Sequence, residues 1–296
     1  MNITIEKSVR RALALPIIVG LLGSLGCSTS KIAVGAMVPI LENSKTAALA
    51  SNDIRTFNEA TPSNLFLLEG LIATDPKNRR LRESAAMLYF SYAFTLDARE
   101  DESYASLLYQ KGLGHGKNVL FRNKRVAEAW DKPFEEFSAS MSQLGDKDLP
   151  ALVWTVANWS QFISLHLDST EVLVDIPRVQ VLLERACDID GEYFEGLPYM
   201  ILGSLHAFRP PLMGGDPEAS RENFDRAIAM SDGKFLLAHY FFAKFYCYRI
   251  QDADMFEKTL LHVIGQPDTV LPDYRLLNAI AIDKSAVLLK EKDELF

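Results

Sequence analysis

Along most of this chain apolar residues return every three or four positions, and the apolar–polar alternation of strands bounded by hairpin turns is missing. A period near 3.6 places those residues on one stripe of a helix, and such a stripe is buried by packing against other helices. The pattern predicts an all-α protein. Its punctuation predicts how the helices are joined. Asp75, Pro76, Lys77 and Asn78 separate a run ending in Leu71 and Ile72 from one containing Ala85, Ala86, Tyr89 and Ala93. Asp146 to Pro150 opens a Trp-rich run from Leu152 to Leu167, Asp175, Ile176 and Pro177 open another, and Gly214 to Glu218 opens the next. An aspartate cap, a proline at the first helical position and a glutamate near the positive end of the helix dipole all mark helix starts. Helices of about 12 to 18 residues joined this way form helical hairpins.

The hairpins resemble one another. Leu183 precedes Ala186, and Phe224 precedes Ala227, by three residues, each pair followed by a polar turn. Phe256 and Thr259 repeat the spacing 32 residues after Phe224, and Leu68 and Leu71, ahead of Asp75 and Pro76, form a weaker copy. The longer gap between Leu183 and Phe224 is explained by the extra residues 210–215. Repeats of about 34 residues with this signature on the second helix, and Leu202 and Gly203 on a first helix, match degenerate tetratricopeptide repeats. The expected fold is a helical-hairpin solenoid, with residues 46–296 as a single all-helical domain.

The N-terminus carries an address. Lys7, Arg10 and Arg11 precede an apolar run from Ala12 to Leu22, and Gly23 to Gly26 lead into Cys27. This is the layout of a secretory signal peptide over residues 1–26 that ends in a lipobox. The apolar run is shorter than the roughly 20 residues a membrane-spanning helix needs. Cys27 is thus expected to become a lipidated N-terminus, bearing diacylglycerol and an amide-linked acyl chain such as palmitate. Several chains together anchor durably because each buried methylene contributes about 0.8 kcal/mol. Ser28, rather than aspartate, favours outer-membrane delivery in a Gram-negative envelope, with the body facing the periplasm. Residues 27–45 read as the lipidated cysteine and a linker, although Ala33, Met37, Ile40 and Leu41 recur at helical spacing as the start of a first helix.

Charge and chemistry narrow the function. With 31 Lys+Arg against 39 Asp+Glu, the chain is net acidic by 8 charges, which argues against nucleic acid as a partner. Cysteines 27, 187 and 247 are too few and too scattered for a disulfide framework or a Cys-based zinc site. The five histidines form no His-x-x-x-His pair, and no Gly-x-Ser-x-Gly elbow exists, so neither a metal site nor an enzyme is expected and no cofactor is implied. The cluster Gly112, Gly114, Gly116 reads as a helix-ending loop. Lys111, Lys117, Arg122, Lys124 and Arg125 nearby form a basic patch that is either a solvated face or a meeting point for an acidic partner. Cys187 and Cys247 read as buried thiols.

Several polar residues in apolar helical surroundings leave two readings open. The run from Leu152 to Leu167 is apolar nearly all round, so Asn158, Gln161 and His166 within it either hydrogen-bond inside the core or line a wet channel. His206 and Arg209 stand before Pro210, where arginine either grips a carboxylate or caps helix carbonyls. Asn278 either ties two repeats together or faces a cavity.

Four stretches then carry a family resemblance: 149–159 (LPALVWTVANW), 183–194 (LERACDIDGEYF), 203–234 with GSLHA, GGDPEA and SDGK in order, and the tail 272–296 with Asn278 and Ala281. In that order, behind a lipobox, they resemble the T component (TatT) of lipoproteins associated with tripartite ATP-independent periplasmic (TRAP) transporters, over about residues 60–296. The resemblance implies a homotrimer with a pore-like channel in each protomer, association with a TRAP periplasmic solute-binding protein, and a small hydrophobic ligand. It makes Trp154, Asn158, Trp159, His206, Arg209 and Asn278 candidates for lining that pore. The alternative is a repeat lipoprotein that scaffolds envelope protein assembly with no role in transport.

Overall fold

The computed structural model describes residues 29–96, 101–209 and 214–296. The leader, the lipobox and Cys27 lie outside the described residues, as do 210–213. Among the described residues the regular structure is helical throughout and contains no strand. Helix α1 covers 29–50, followed by α2 (Ile54–Thr74), α3 (Arg79–Thr95), α4 (Glu102–Leu120), α5 (Lys124–Ala129) and α6 (Phe134–Met141). Then come α7 (Leu149–Leu165), α8 (Thr170–Leu173), α9 (Ile176–Asp190), α10 (Tyr193–Phe208) and α11 (Pro217–Met230). Helix α12 (Leu236–Phe241) continues into a π-helical turn (Phe242–Cys247), and α13 (Ala253–Ile264), α14 (Arg275–Lys290) and α15 (Lys292–Leu295) complete the chain.

Local chemistry sets the helix starts. Asp53, Asn78, Asp101, Asp216 and Asp252 accept hydrogen bonds from backbone N–H groups in the first turns of α2, α3, α4, α11 and α13. Those groups otherwise have no intrahelical partner. Pro217 occupies the first position of α11, as the sequence predicts. Asp175 stands at the cap position of α9 but makes no capping bond there; its carboxylate interacts with the Trp159 indole instead.

Two expectations change. Residues 29–45 are helical, where a linker was expected, because Val34 and Val38 bury against the apolar faces of α2 and α3. Gly112, Gly114 and Gly116 do not end a helix; they lie within α4. Gly112 and Gly116 are the contact face: a Cβ at Gly112 would stand 2.2 Å from Asn158 Oδ1, and one at Gly116 would stand 2.1 Å from Thr155 Oγ1. The absent side chains let α4 press directly onto α7.

Helix α7 is the hub. Twelve of its residues are buried, including Leu152, Val153, Val156 and Ile163, so nearly its whole circumference is covered. One apolar cluster joins α1 to α4, and a larger one runs from α3 through α14. The large residues of the repeat signature, Leu68, Leu183, Phe224 and Phe256, are all buried, as are Ala186 and Ala227. At the α10–α11 contact the pairing is explicit: a Cβ on Gly203 would meet the Phe224 ring at 3.0 Å, so the ring occupies the space that the glycine leaves. Ser220 Oγ donates to the Gly203 carbonyl at 2.8 Å beside it.

Candidate functional site

The helices do not close on a solid centre. Seven of them leave an apolar cavity of about 380 Å³, within the range of small-molecule sites. Its wall is assembled from distant parts of the chain. Met37, Leu41 and Ala48 come from α1, and Phe57, Thr61 and Leu68 from α2; Met87, Phe90 and Phe94 come from α3 and Trp154 from α7. Phe194 and Met200 are supplied by α10, Phe235 and Phe241 by α12 and the residue before it, and Leu277 and Ile280 by α14. Helical spacing explains the wall on α1 and α2, where lining residues recur three, four and seven positions apart. Aromatic contacts stiffen it: Phe94 stacks on Phe241 with ring centroids 5.5 Å apart, and Phe90 tilts against Trp154 at 5.6 Å.

A second, more polar cavity of about 540 Å³ adjoins the first. The two share Lys45, Leu49, Ser84, Met87, Trp154 and Phe194, so these side chains form a partition. On the polar side stand Glu42, Arg80, Glu83, Tyr193, Asp273 and Tyr274. Lys45 pairs with Glu42, and Arg79 binds Glu83 at 2.7 Å and Asp148 at 3.0 Å. Burial pushes the Glu83 carboxyl up despite the pull of Arg79, and burial pushes the Tyr193 phenol up to about 12. In both groups the loss of solvation on burial disfavours the charged form.

The backbone at this partition is unusual. Phe194 (φ 52°), Glu195 (φ 57°) and Gly196 (φ 80°) are consecutively left-handed at the start of α10. For each of the two residues that carry a Cβ, this costs roughly 1–2 kcal/mol. The turn aims the Phe194 ring between Trp154 and Tyr274, edge-on to both, with centroids 5.1 and 5.0 Å away. Tyr193 stands on the polar side of the partition, next to Phe194, with ring centroids 6.3 Å apart.

Of the six pore candidates named from the sequence, Trp154 stands in the wall of both cavities, and the other five stand in neither. Asn158 is fully buried; its Nδ2 donates to the Ala86 carbonyl at 3.0 Å and to the Trp154 carbonyl at 2.7 Å, while Oδ1 faces Gly112 with no hydrogen bond. Trp159 stacks on Trp130 at 5.5 Å. Arg209 donates to the Leu205 carbonyl and to Gln180 Oε1 at 2.8 Å, the helix-capping arrangement, and His206 Nδ1 beside it is buried without a partner among the described residues. Asn278 accepts from Leu236 N at 2.9 Å and donates to the Lys234 carbonyl at 3.0 Å, tying α14 to the start of α12. His166 pairs with Ser106 Oγ at 2.8 Å, linking α7 to α4.

The basic patch is divided. Lys117 lies over the Trp130 ring at 4.9 Å, and Arg122 donates to the Lys77 carbonyl at 2.7 Å. Arg125 reaches Gln143 Oε1 at 3.1 Å, while Lys111 and Lys124 are exposed. Nearby, Glu69 accepts from the Tyr89 hydroxyl at 2.7 Å and lies 2.9 Å from His115 Nε2. Cys187 and Cys247 are free thiols pushed up to about 12 by burial, far from the thiolate form. Among the described residues no three His, Cys, Asp or Glu side chains come together as a metal site.

Most of the cavity wall has no local sequence signature. Met37, Phe57, Phe94, Phe194, Phe241 and Ile280 meet only through tertiary packing. The one local trace is on α2, where Phe57, Ala60, Thr61, Asn64, Leu67 and Leu68 recur at helical spacing and all line the cavity.

Among known proteins, an uncharacterized protein of Treponema pallidum (strain Nichols) is 23% identical over 295 residues, covering 90% of this chain and 91% of that protein. The family model of the TRAP transporter T-component matches residues 50–296, which includes α2 to α15 and the cavity wall apart from the residues supplied by α1. No helix among the described residues is long and apolar enough to cross a membrane. On the strength of that match, this chain belongs to the TRAP transporter T-component family, whose members are associated with a TRAP transporter rather than forming an enzyme family.

Proposed function

We propose that this protein is anchored to the bacterial envelope through a lipidated Cys27, faces the periplasm, and works beside a TRAP-type solute-binding protein by holding a small hydrophobic ligand in its central cavity. The observation that carries the ligand part is the apolar chamber of about 380 Å³ ringed by seven helices. A void of that size lined by Leu, Met and Phe side chains forfeits dispersion contacts, and an apolar guest restores them. The partner and the lipid anchor rest on family membership and on the lipobox. A homotrimer and an outer-membrane location belong to the same proposal.

Mass spectrometry of the native complex released from membranes tests the whole reading, since it reports the acyl chains, the copy number, the solute-binding protein and any retained small molecule. Recovery of the acylated chain with that partner is expected. Recovery with assembly factors of the envelope and no transporter component would favour the scaffold alternative. The cavity is tested separately with N-phenyl-1-naphthylamine, which fluoresces in apolar surroundings. Ala60 lines the chamber, and Ala60→Trp is designed to place an indole in it. Dye binding is expected in the wild type and lost in that variant; equal signal from both would place the dye elsewhere.

A further inference from the structure

We propose that Phe194 selects ligands by length, acting as the partition between the apolar chamber and the polar vestibule, so that the site suits single-chain amphiphiles whose tail stays inside the chamber. This inference rests on the reading above that the chamber takes an apolar ligand. Three independent features meet at this side chain. It belongs to the walls of both cavities, together with Trp154 and Met87. It packs edge-on against Trp154 at 5.1 Å and Tyr274 at 5.0 Å, the first a residue of the shared partition and the second a residue of the polar side, so its ring is held where the two cavities meet. Its backbone, with that of Glu195, keeps a left-handed conformation that residues with a Cβ rarely adopt, so the ring is delivered to this position by a turn the sequence would otherwise avoid.

The chemistry on the two sides differs sharply. Inside are Phe57, Phe94, Leu197, Met200 and Leu277; outside are Glu42, Arg80, Glu83 and Asp273. An alkyl chain gains affinity for every methylene that stays in the apolar chamber and gains little once it reaches the charged side. The partition therefore fixes the chain length at which that gain stops. A polar head fits the vestibule, where charged and hydroxyl groups of both signs are available. Among the side chains of the partition, Phe194 is the specificity-determining residue, because it alone is held there by a left-handed turn.

The test uses the full chain and displacement of N-phenyl-1-naphthylamine by a series of n-alkanols of increasing length, uncharged so that headgroup electrostatics do not enter. In the wild type, affinity is expected to rise about fourfold per added methylene and then level off at a definite length. In Phe194→Ala the rise is expected to continue to longer chains, by several methylenes, before levelling. Phe194→Leu, which keeps an apolar side chain of smaller reach, is expected to fall between the two and carries the comparison if the alanine variant loses its fold, as judged by circular dichroism. A plateau at the same length in the wild type and in the folded variants would overturn the partition. Absence of dye binding in the wild type would instead remove the ligand reading on which it rests, so the two failures are distinct.

Discussion

Gly112 and Gly116 stand one turn apart on α4, and their missing side chains set its distance from α7. A methyl group on Gly116 would meet Thr155 Oγ1 at 2.1 Å and the Thr155 Cα at 3.2 Å; the backbone atom cannot rotate away. Gly114, between them, has nothing within 4 Å. Gly112→Ala and Gly116→Ala are each expected to destabilise the protein by about 2 kcal/mol through overpacking. Gly114→Ala is expected to be neutral or to stabilise by up to about 1 kcal/mol, because alanine restricts the unfolded chain and favours the helix. Urea denaturation of the three variants distinguishes these outcomes, and similar midpoints for all three would refute close packing at this crossing. Three histidines act at the same scale. Burial lowers His115, His206 and His239 below their ordinary value of 6.5, with Glu69 opposing the shift at His115 and His262 adding to it at His239. The folded protein thus binds fewer protons than the unfolded chain in the window just below pH 6.5. Stability is complete above that value and declines as pH falls through the window. The urea midpoint should therefore drop between pH 7.5 and 5.5, and less steeply in His239→Gln; a flat profile in the wild type would contradict the sign.

Among the elements, α10 shows where local sequence and structure part. The start of α11 was legible because Asp216 and Pro217 obey capping rules, and the buried nature of α7 was legible because apolar residues cover its circumference. The left-handed run at Phe194 to Gly196 was not legible, since phenylalanine and glutamate carry no preference for positive φ and only tertiary packing holds them there. The α4 glycines misled for a related reason: glycine marks both helix ends and close helix crossings, and only the neighbouring helix decides between them. Asn158, Asn278 and Arg209 were recognised as polar groups needing partners, but which partner each finds depends on helices 29 to 72 residues away in sequence. Glu195→Gly tests the strain directly. Removing the Cβ from a position at φ 57° should stabilise the protein by about 1 kcal/mol if the turn is rigidly imposed. A loss of stability would mean that the Glu195 side chain contributes more than its backbone costs; chemical denaturation gives the sign.

At the scale of the whole molecule, the cavity changes what a stack of helix pairs would otherwise do. Linear repeat arrays unfold piecewise because each unit touches only its neighbours. Here Leu276, Leu277 and Ile280 of α14 share one chamber with Leu67 and Leu68 of α2 and with Met37 of α1, so both ends of the chain close the same wall. Asn278 reinforces the closure through its bonds to Leu236 N and to the Lys234 carbonyl. Hydrogen exchange is therefore expected to give α2 and α14 the same opening free energy, whereas independent fraying of one end would show that the ring is open. An occupant touching seven helices should act on all of them together. A ligand at 100 times its Kd adds about 2.7 kcal/mol to the stability of the state that binds it. Because the wall draws on both ends of the chain, that increment should appear equally in the protection of α2, α7 and α14. Protection gained by α2 alone would locate the ligand on the surface of the first helices rather than inside the ring.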